Sequence, residues 1–432
     1  MILFLIISMV AAYASRNMIF EQRTSANNYR STQAFEAAEA GMDWAIAMLN
    51  GGRMDDACTG TSDLARDAFR DRYLSMDADG SIGVRQWLSG GQQVALLPSC
   101  VRGNSSWVCS CPGNGDPVLA APVGAVTTPA FKVSFEPFIG LDQRGFVKVF
   151  VTGCSGFGSQ CFAGAARKSD AYAEVKAVLG LAPALTQTPA AAITVRGPLD
   201  APSAQVVNPA TVGVAINAGG AVNAAQVIGP AGMAAAAVQS TLVVSGDASL
   251  SGMVPPVGMS KRDLMFLATF GMPPTPFRVQ PAVVRLTCSD DCSEQLIDAV
   301  ARFPGRVIWI DGDLTLGAAA VLDLGSASAP VVLVVDGNLN WAAGSNVALR
   351  GLIYVRGARW DSMGAAATVV GAVIAEGDAS VGPPDEGRFT ITGEPRIVFD
   401  APIVDHLKKV QARTVFDLGS FARVPGSWRD FR

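Results

Sequence analysis

Histidine is all but missing from this 432-residue sequence, with 1 in the whole chain, and that absence excludes a good deal of chemistry. A Ser-His-Asp relay or a mixed Cys/His zinc site has nothing to be built from. His406 itself falls in an expected surface helix beside Lys408 and Lys409. Charge is scarce as well: 16% of residues carry it and the net value is −4, so the basic footprint that nucleic acid demands is missing. No GxGxxG, P-loop or HExxH occurs. No catalytic, cofactor-binding or metal-ligating residue is assigned, and the chain is read as a non-enzyme.

Glycine and proline are abundant overall, at 45 and 25, yet the first glycine is Gly41 and the first proline Pro98. A 40-residue stretch free of both arises by chance roughly once in a thousand. One helix of about 75 Å is expected over residues 1–50. Its start, Met1–Ala14, is an uncharged apolar run in which Leu3, Phe4, Leu5, Ile6, Ile7 and Val10 supply a lipid-facing surface. At about 21 Å the run is shorter than a hydrocarbon core of about 30 Å, and no Lys or Arg precedes it, so upstream residues supplying a basic leader are expected. Further along, Phe35, Ala38, Met42, Ile46 and Leu49 recur at three-to-four-residue steps and make an apolar stripe for a folded partner. Small residues at Ala34, Ala37, Ala38, Gly41 and Ala45 suit close approach to neighbouring helices. Asn50-Gly51-Gly52 should stop the helix. Glu36 and Glu39 read as a solvated flank rather than as a carboxylate pair for catalysis.

The 8 cysteines point to disulfides and an oxidising compartment, since metal sites lack histidine partners. The short spacings pair Cys154 with Cys161 and Cys288 with Cys292; the pairing of Cys58, Cys100, Cys109 and Cys111 stays open.

Residues 51–185 read as an α+β head. DLARDAFRDRYL carries helical spacing; FKVSFEPF and FVKVFVTG form a hairpin; AYAEVKAVL sets Glu174 and Lys176 on the face opposite Ala173, Val175 and Ala177. Residues 186–400 repeat one pattern, a short apolar strand followed by a charged residue and glycine: VIWIDGDL, VLVVDGNL, LIYVRGAR and AVIAEGDA, with weaker copies at ITVRGPLD and VVSGDASL. No copy can bury its own apolar face, so stacking is required. The expectation is an irregular right-handed parallel β-helix of about six rungs, interrupted by a helical insert at about 258–303, with residues 401–432 as a C-terminal helix and tail. The fold class is therefore α+β with a β-solenoid. Asp311, Asp336 and Glu376 are read as turn residues at strand exits. Asp311 and Asp313 with Arg356 are the one hint of polysaccharide cleavage, and turn chemistry accounts for them better.

The segment QAFEAAEAGMDWAIAMLN, with FEQRTSANNYRS before it, resembles the N-terminal domain of PilX-type minor pilins of type IV pilus systems. The chain's ending, FARVPGSWRDF, is similar to that of large members of the same family. The resemblance implies a helix that first anchors the subunit in the inner membrane and then packs in a filament core. It implies other minor and major pilins and the inner-membrane pilus assembly machinery as partners, with twitching motility and cell adhesion as the processes served. The C-terminal domain would be periplasmic, or extracellular once in the pilus, and a surface or carbohydrate ligand for the solenoid is the further partner such a coil suggests. The sequence departs from major pilins in one respect, having no acidic residue before Glu21. The alternative reading is a membrane-anchored β-helix that binds or cleaves carbohydrate.

Overall fold

In the computed structural model the described residues are 2–77, 81–120, 123, 128–140, 144–157, 171–183, 185–280, 282–377, 387–407 and 419–431. Helix α1 runs unbroken over Ile2–Leu49, about 72 Å at 1.5 Å per residue. A sheet of seven strands grips its C-terminal third. Strand Ala130–Pro137 pairs antiparallel with Phe146–Cys154, which pairs with Tyr172–Pro183. Alternation then sorts the side chains: Val147, Val149, Val151, Val175 and Ala177 are buried against α1, while Lys148, Phe150, Glu174 and Lys176 face outward.

Two features of this head were not visible in the sequence. DLARDAFRDRYL keeps only one helical turn and a little more, Phe69–Tyr73; the residues before it are turns, and short strands Leu74–Met76, Ile82–Val84, Gln86–Ser89 and Gln92–Ala95 follow. More consequentially, the chain's last residues do not form a separate tail. Gly419–Arg423 and Arg429–Phe431 pair antiparallel with Tyr172–Pro183 and extend the head's own sheet, with Phe421 entering its core.

The second half is one large parallel sheet of sixteen strands that curls on itself. Its long ladder stacks Val283–Thr287, Val307–Asp311, Val331–Val335, 351–355, 371–375, Ala191–Val195, Val214–Ala218 and Val243–Ser245. Two shorter ladders keep the same order, one passing through Leu314–Leu316, Leu339–Trp341 and Arg359–Ser362, the other through Val321–Leu324, 346–349 and 366–370. Each repeat copy seen in the sequence contributes a strand to the ladder. Their order in space, however, is not their order in the chain: the early copies at 193 and 243 stack beyond the last copy, at 372. The chain thus enters mid-ladder, builds to one end, crosses roughly 33 Å to the other and builds back.

The crossing segment carries helices Lys261–Phe270, Pro274–Phe277 and Ser293–Arg302. Ser260 caps the first by accepting from the Asp263 amide, and Gly271 ends it in the left-handed conformation. Phe266 and Phe270 of this helix lie on the ladder, with ring centroids 5.6 Å (Phe266 to Trp309) and 5.2 Å (Phe270 to Tyr354) apart. This cover explains why Val331–Val335 is buried on both faces and reads as a continuous apolar run rather than an alternating one. At the turns, Asp313 accepts from the Asn338 amide at 2.7 Å and the Asn338 side chain accepts from Ala358 and Arg359 at 3.0 Å, so polar residues are stacked rung on rung.

Candidate functional site

Helix α1 is the element whose surface calls for a partner. Among the described residues it is the one helix long and apolar enough to cross a membrane, with mean hydropathy 1.7 over an 18-residue window none of which is buried. Leu3, Phe4, Ile6, Ile7 and Val10 all stand exposed, Leu3 at 74% and Phe4 at 76%; Leu5 lies between them on the helix. Two hydroxyls along the exposed helix are satisfied within it, Ser8 donating to the Phe4 carbonyl at 2.8 Å and Thr24 to that of Phe20 at 3.0 Å. That is the arrangement a nonpolar surrounding requires, since it offers no hydrogen bonds of its own.

From Ala34 onward the same helix is clasped. Ala38, Gly41, Met42 and Leu49 are buried, with Phe35 and Ile46 half-buried beside them. The small residues expected to meet neighbouring helices are used inside the head instead. A β-carbon on Gly153 would lie 2.2 Å from the Ala34 carbonyl oxygen, and one on Gly41 2.6 Å from Val151. Helix and strand therefore touch backbone to backbone, which only residues without side chains allow.

The C-terminal end of α1 is closed by residues the sequence gave no reason to connect with it. The Arg306 guanidinium, 2% exposed, donates to the carbonyls of Leu49 (3.1 Å), Asn50 (3.0 Å) and Gly51 (2.7 Å). A buried cation thus meets the negative end of the helix and the carbonyls it leaves unpaired. The Asn50 side chain bonds both backbone groups of Phe421 at 2.8 Å, and Arg70 donates to the carbonyls of Gly419 and Gly305. Helix, head and parallel sheet meet here. The Asn50-Gly51-Gly52 stop was legible; its partners, some 250 and 370 residues away, carried no local signal.

Disulfides join Cys58 to Cys111, Cys100 to Cys109 and Cys288 to Cys292. Cys154 is also disulfide-bonded, and its expected partner Cys161 lies outside the described residues. Of the carboxylates singled out on the ladder, Asp311 and Asp313 are engaged separately, while Asp336 and Glu376 share Arg356. Asp311 takes Arg285 at 2.6 Å, and Asp313 caps a turn. Arg356 is held by Asp263 and Asp336 at 2.7 Å and by Glu376 at 3.1 Å. Glu376, at its strand exit, is fully buried, taking Arg262 at 3.1 Å and the Tyr354 hydroxyl at 2.9 Å. Burial pushes its carboxyl up to about 7 against the pull of Arg356 and Arg262. This cluster fastens the crossing helix, through Arg262 and Asp263, to the strand exits it spans. Lys408 and Lys409 lie outside the described residues; His406 ends the short helix Ala401–His406. Among the described residues no three His, Cys, Asp or Glu side chains gather as a metal-binding group.

No family model matches the sequence, and no curated protein does. Among solved structures the chain is similar to the competence-associated pilin ComZ from Thermus thermophilus, at 11% identity over 93% of this chain and 98% of that one, with a TM-score of 0.21. A likeness of that size carries no argument about this chain.

Proposed function

We propose that the chain is a pilin-like subunit, held in the inner membrane by the leading half of α1 and built into, or priming, a type IV pilus-type filament. The single observation that carries this reading is the division of one unbroken helix into a long exposed stretch, apolar at its start, and a C-terminal third buried under an antiparallel sheet. An ordinary soluble core helix has no reason to project about 40 Å of uncovered chain. A simple anchor would have no need to pass rigidly into a folded head. The resemblance of residues 33–50 to PilX-type minor pilins supports the same reading, as do the disulfides, which suit a periplasmic or extracellular domain. The parallel sheet is read as a right-handed β-helix displayed outward from the filament, and the Arg306 clamp holds it to the helix end.

The role proposed is structural rather than catalytic. Asp311, Asp313 and Arg356 each have fold-maintaining partners and converge on no common point. Incubation of the full chain in detergent with acidic polysaccharides, with and without calcium, tests this: release of unsaturated oligosaccharides would establish the carbohydrate-cleaving alternative. The pilus reading is tested by deleting the gene in its own bacterium. Loss of surface pili and of twitching is expected, and a mutant with normal piliation and motility overturns it.

A further inference from the structure

The outward face of the head's sheet gathers positive charge at one place. Lys176 stands directly opposite Phe150 on one neighbouring strand and directly opposite Arg429 on the other. Lys148 lies two residues from Phe150 along the same strand and diagonal to Lys176. Strand alternation puts all four on one face, where with Val178 and Ser427 they line a cavity of about 390 Å³. The Ser427 hydroxyl donates to the Val178 carbonyl and accepts from the Val178 amide, both at 3.1 Å, and so fixes the far wall. The chain's last strand thus completes the cavity.

Like charges set opposite each other across strands weaken a sheet, so the fold itself gains nothing from this row. Glu136 is in register with Lys148 on the strand Ala130–Pro137, yet no ion pair joins them, and neither Lys148 nor Arg429 pairs with any described carboxylate. The ammonium groups lie over rings instead, Lys148 at 5.9 Å from the Phe138 centroid and Lys176 at 5.9 Å from that of Phe150. We infer that this cavity binds one acidic sugar unit, its ring packed on Phe150 and its carboxylate or phosphate held among Lys148, Lys176 and Arg429. The volume is near the lower end of small-molecule sites, which run from about 300 to 1,000 Å³. A long polyanion such as nucleic acid does not suit it, because Glu136 and Glu174 share the face and interrupt any continuous basic track. Bilayer headgroups are also too distant on the pilin-like reading. This strand meets α1 from Ala34 upward, twenty residues or about 30 Å beyond Ala14, whereas headgroup charge is screened within about 10 Å. The site belongs to the head and is independent of any ligand of the parallel sheet.

The test is calorimetric titration of the full chain in detergent, at low and high salt, with digalacturonate, with lactose as its neutral counterpart, with inorganic phosphate and with a short single-stranded oligonucleotide. Digalacturonate should bind saturably and more weakly as salt rises, with lactose and phosphate at least about tenfold weaker. Lys148→Gln plus Arg429→Gln should weaken digalacturonate about tenfold or more, Lys148→Arg should retain it, and Phe150→Leu should weaken it by removing the ring while keeping apolar bulk. Polygalacturonate distinguishes the source: binding per unit equal to that of digalacturonate identifies units within a polymer, binding of digalacturonate alone identifies free ends, and either supports the site. No saturable binding of digalacturonate overturns the inference. Phosphate binding as tightly would reduce the cavity to a bare anion site, and a preferred oligonucleotide would make it a nucleic-acid site; each overturns the sugar. Unchanged affinity in the double glutamine variant would place the ligand elsewhere on the chain and overturns it too. Near-ultraviolet circular dichroism checks that the head of each variant still folds. Membrane fractionation keeps the outcome separate from the pilin-like reading, since a chain that stays membrane-bound without binding sugar sinks the site alone.

Discussion

One methyl group added at Gly153 would stand 2.2 Å from the Ala34 carbonyl oxygen and 2.3 Å from the Ala38 nitrogen. Neither atom belongs to a flexible side chain, so α1 as a whole would have to retreat from the sheet. Gly153→Ala is expected to cost about 2–3 kcal/mol, read as a lowered denaturation midpoint. Glu376 offers a second residue-level test. Its folded pKa of about 7 lies above its usual value of 4.5, so the folded state binds the proton more tightly than the unfolded chain. Stability associated with the protonated carboxyl is present at pH 4 and lost as pH rises through 7. Against Glu376→Gln, which cannot ionise, the wild type should lose ground by up to about 3 kcal/mol between pH 4.5 and 8, visible in paired thermal melts. The apolar stripe of α1 was legible because helical period repeats along the sequence. The burial of Glu376 was not legible, because its acid-then-glycine neighbourhood at a strand exit is shared with Asp311 and Asp336, and the crossing helix that covers it lies far away in the sequence.

Among the elements, α1 depends on its last turn as much as on its stripe. Removing the Arg306 guanidinium leaves three inward carbonyls without a donor, and Arg306→Met keeps much of the side-chain volume while doing so. A loss of about 2–4 kcal/mol in chemical denaturation is expected, with the disulfides intact. An unchanged midpoint would mean water replaces the cation without cost. The strands of the parallel sheet were readable as apolar runs with glycine exits, since each repeats the same local demand. Their pairing was not, because parallel ladders are specified by which faces remain to be covered and not by neighbours in the chain. The crossing helices were legible as a helical insert at about 258–303, but nothing local says that they carry the chain from one end of a ladder to the other.

At the scale of the whole molecule, both folded parts are closed by late residues. Phe421, 1% exposed, sits in the same core as Met42 and Leu49, and the strands at 419–431 pair with residues 174–183. Ending the chain at residue 418 should therefore damage the head and not merely trim a tail: limited proteolysis is expected to cut between residues 51 and 183 in the shortened chain and not in the full one. Survival of the head under protease would refute that dependence. The sequence suggested a tail because its separation from the head, more than 200 residues, hides any pairing signal. The ladder shares this property, since Ala191–Val195 waits for 371–375. Ribosomal synthesis delivers those partners last, so a nascent chain carries two unfinished edges until it is almost complete. A chaperone that shields open β-edges would find its longest-lived client surface here, and prematurely terminated copies would be marked for degradation by the same unsealed seams.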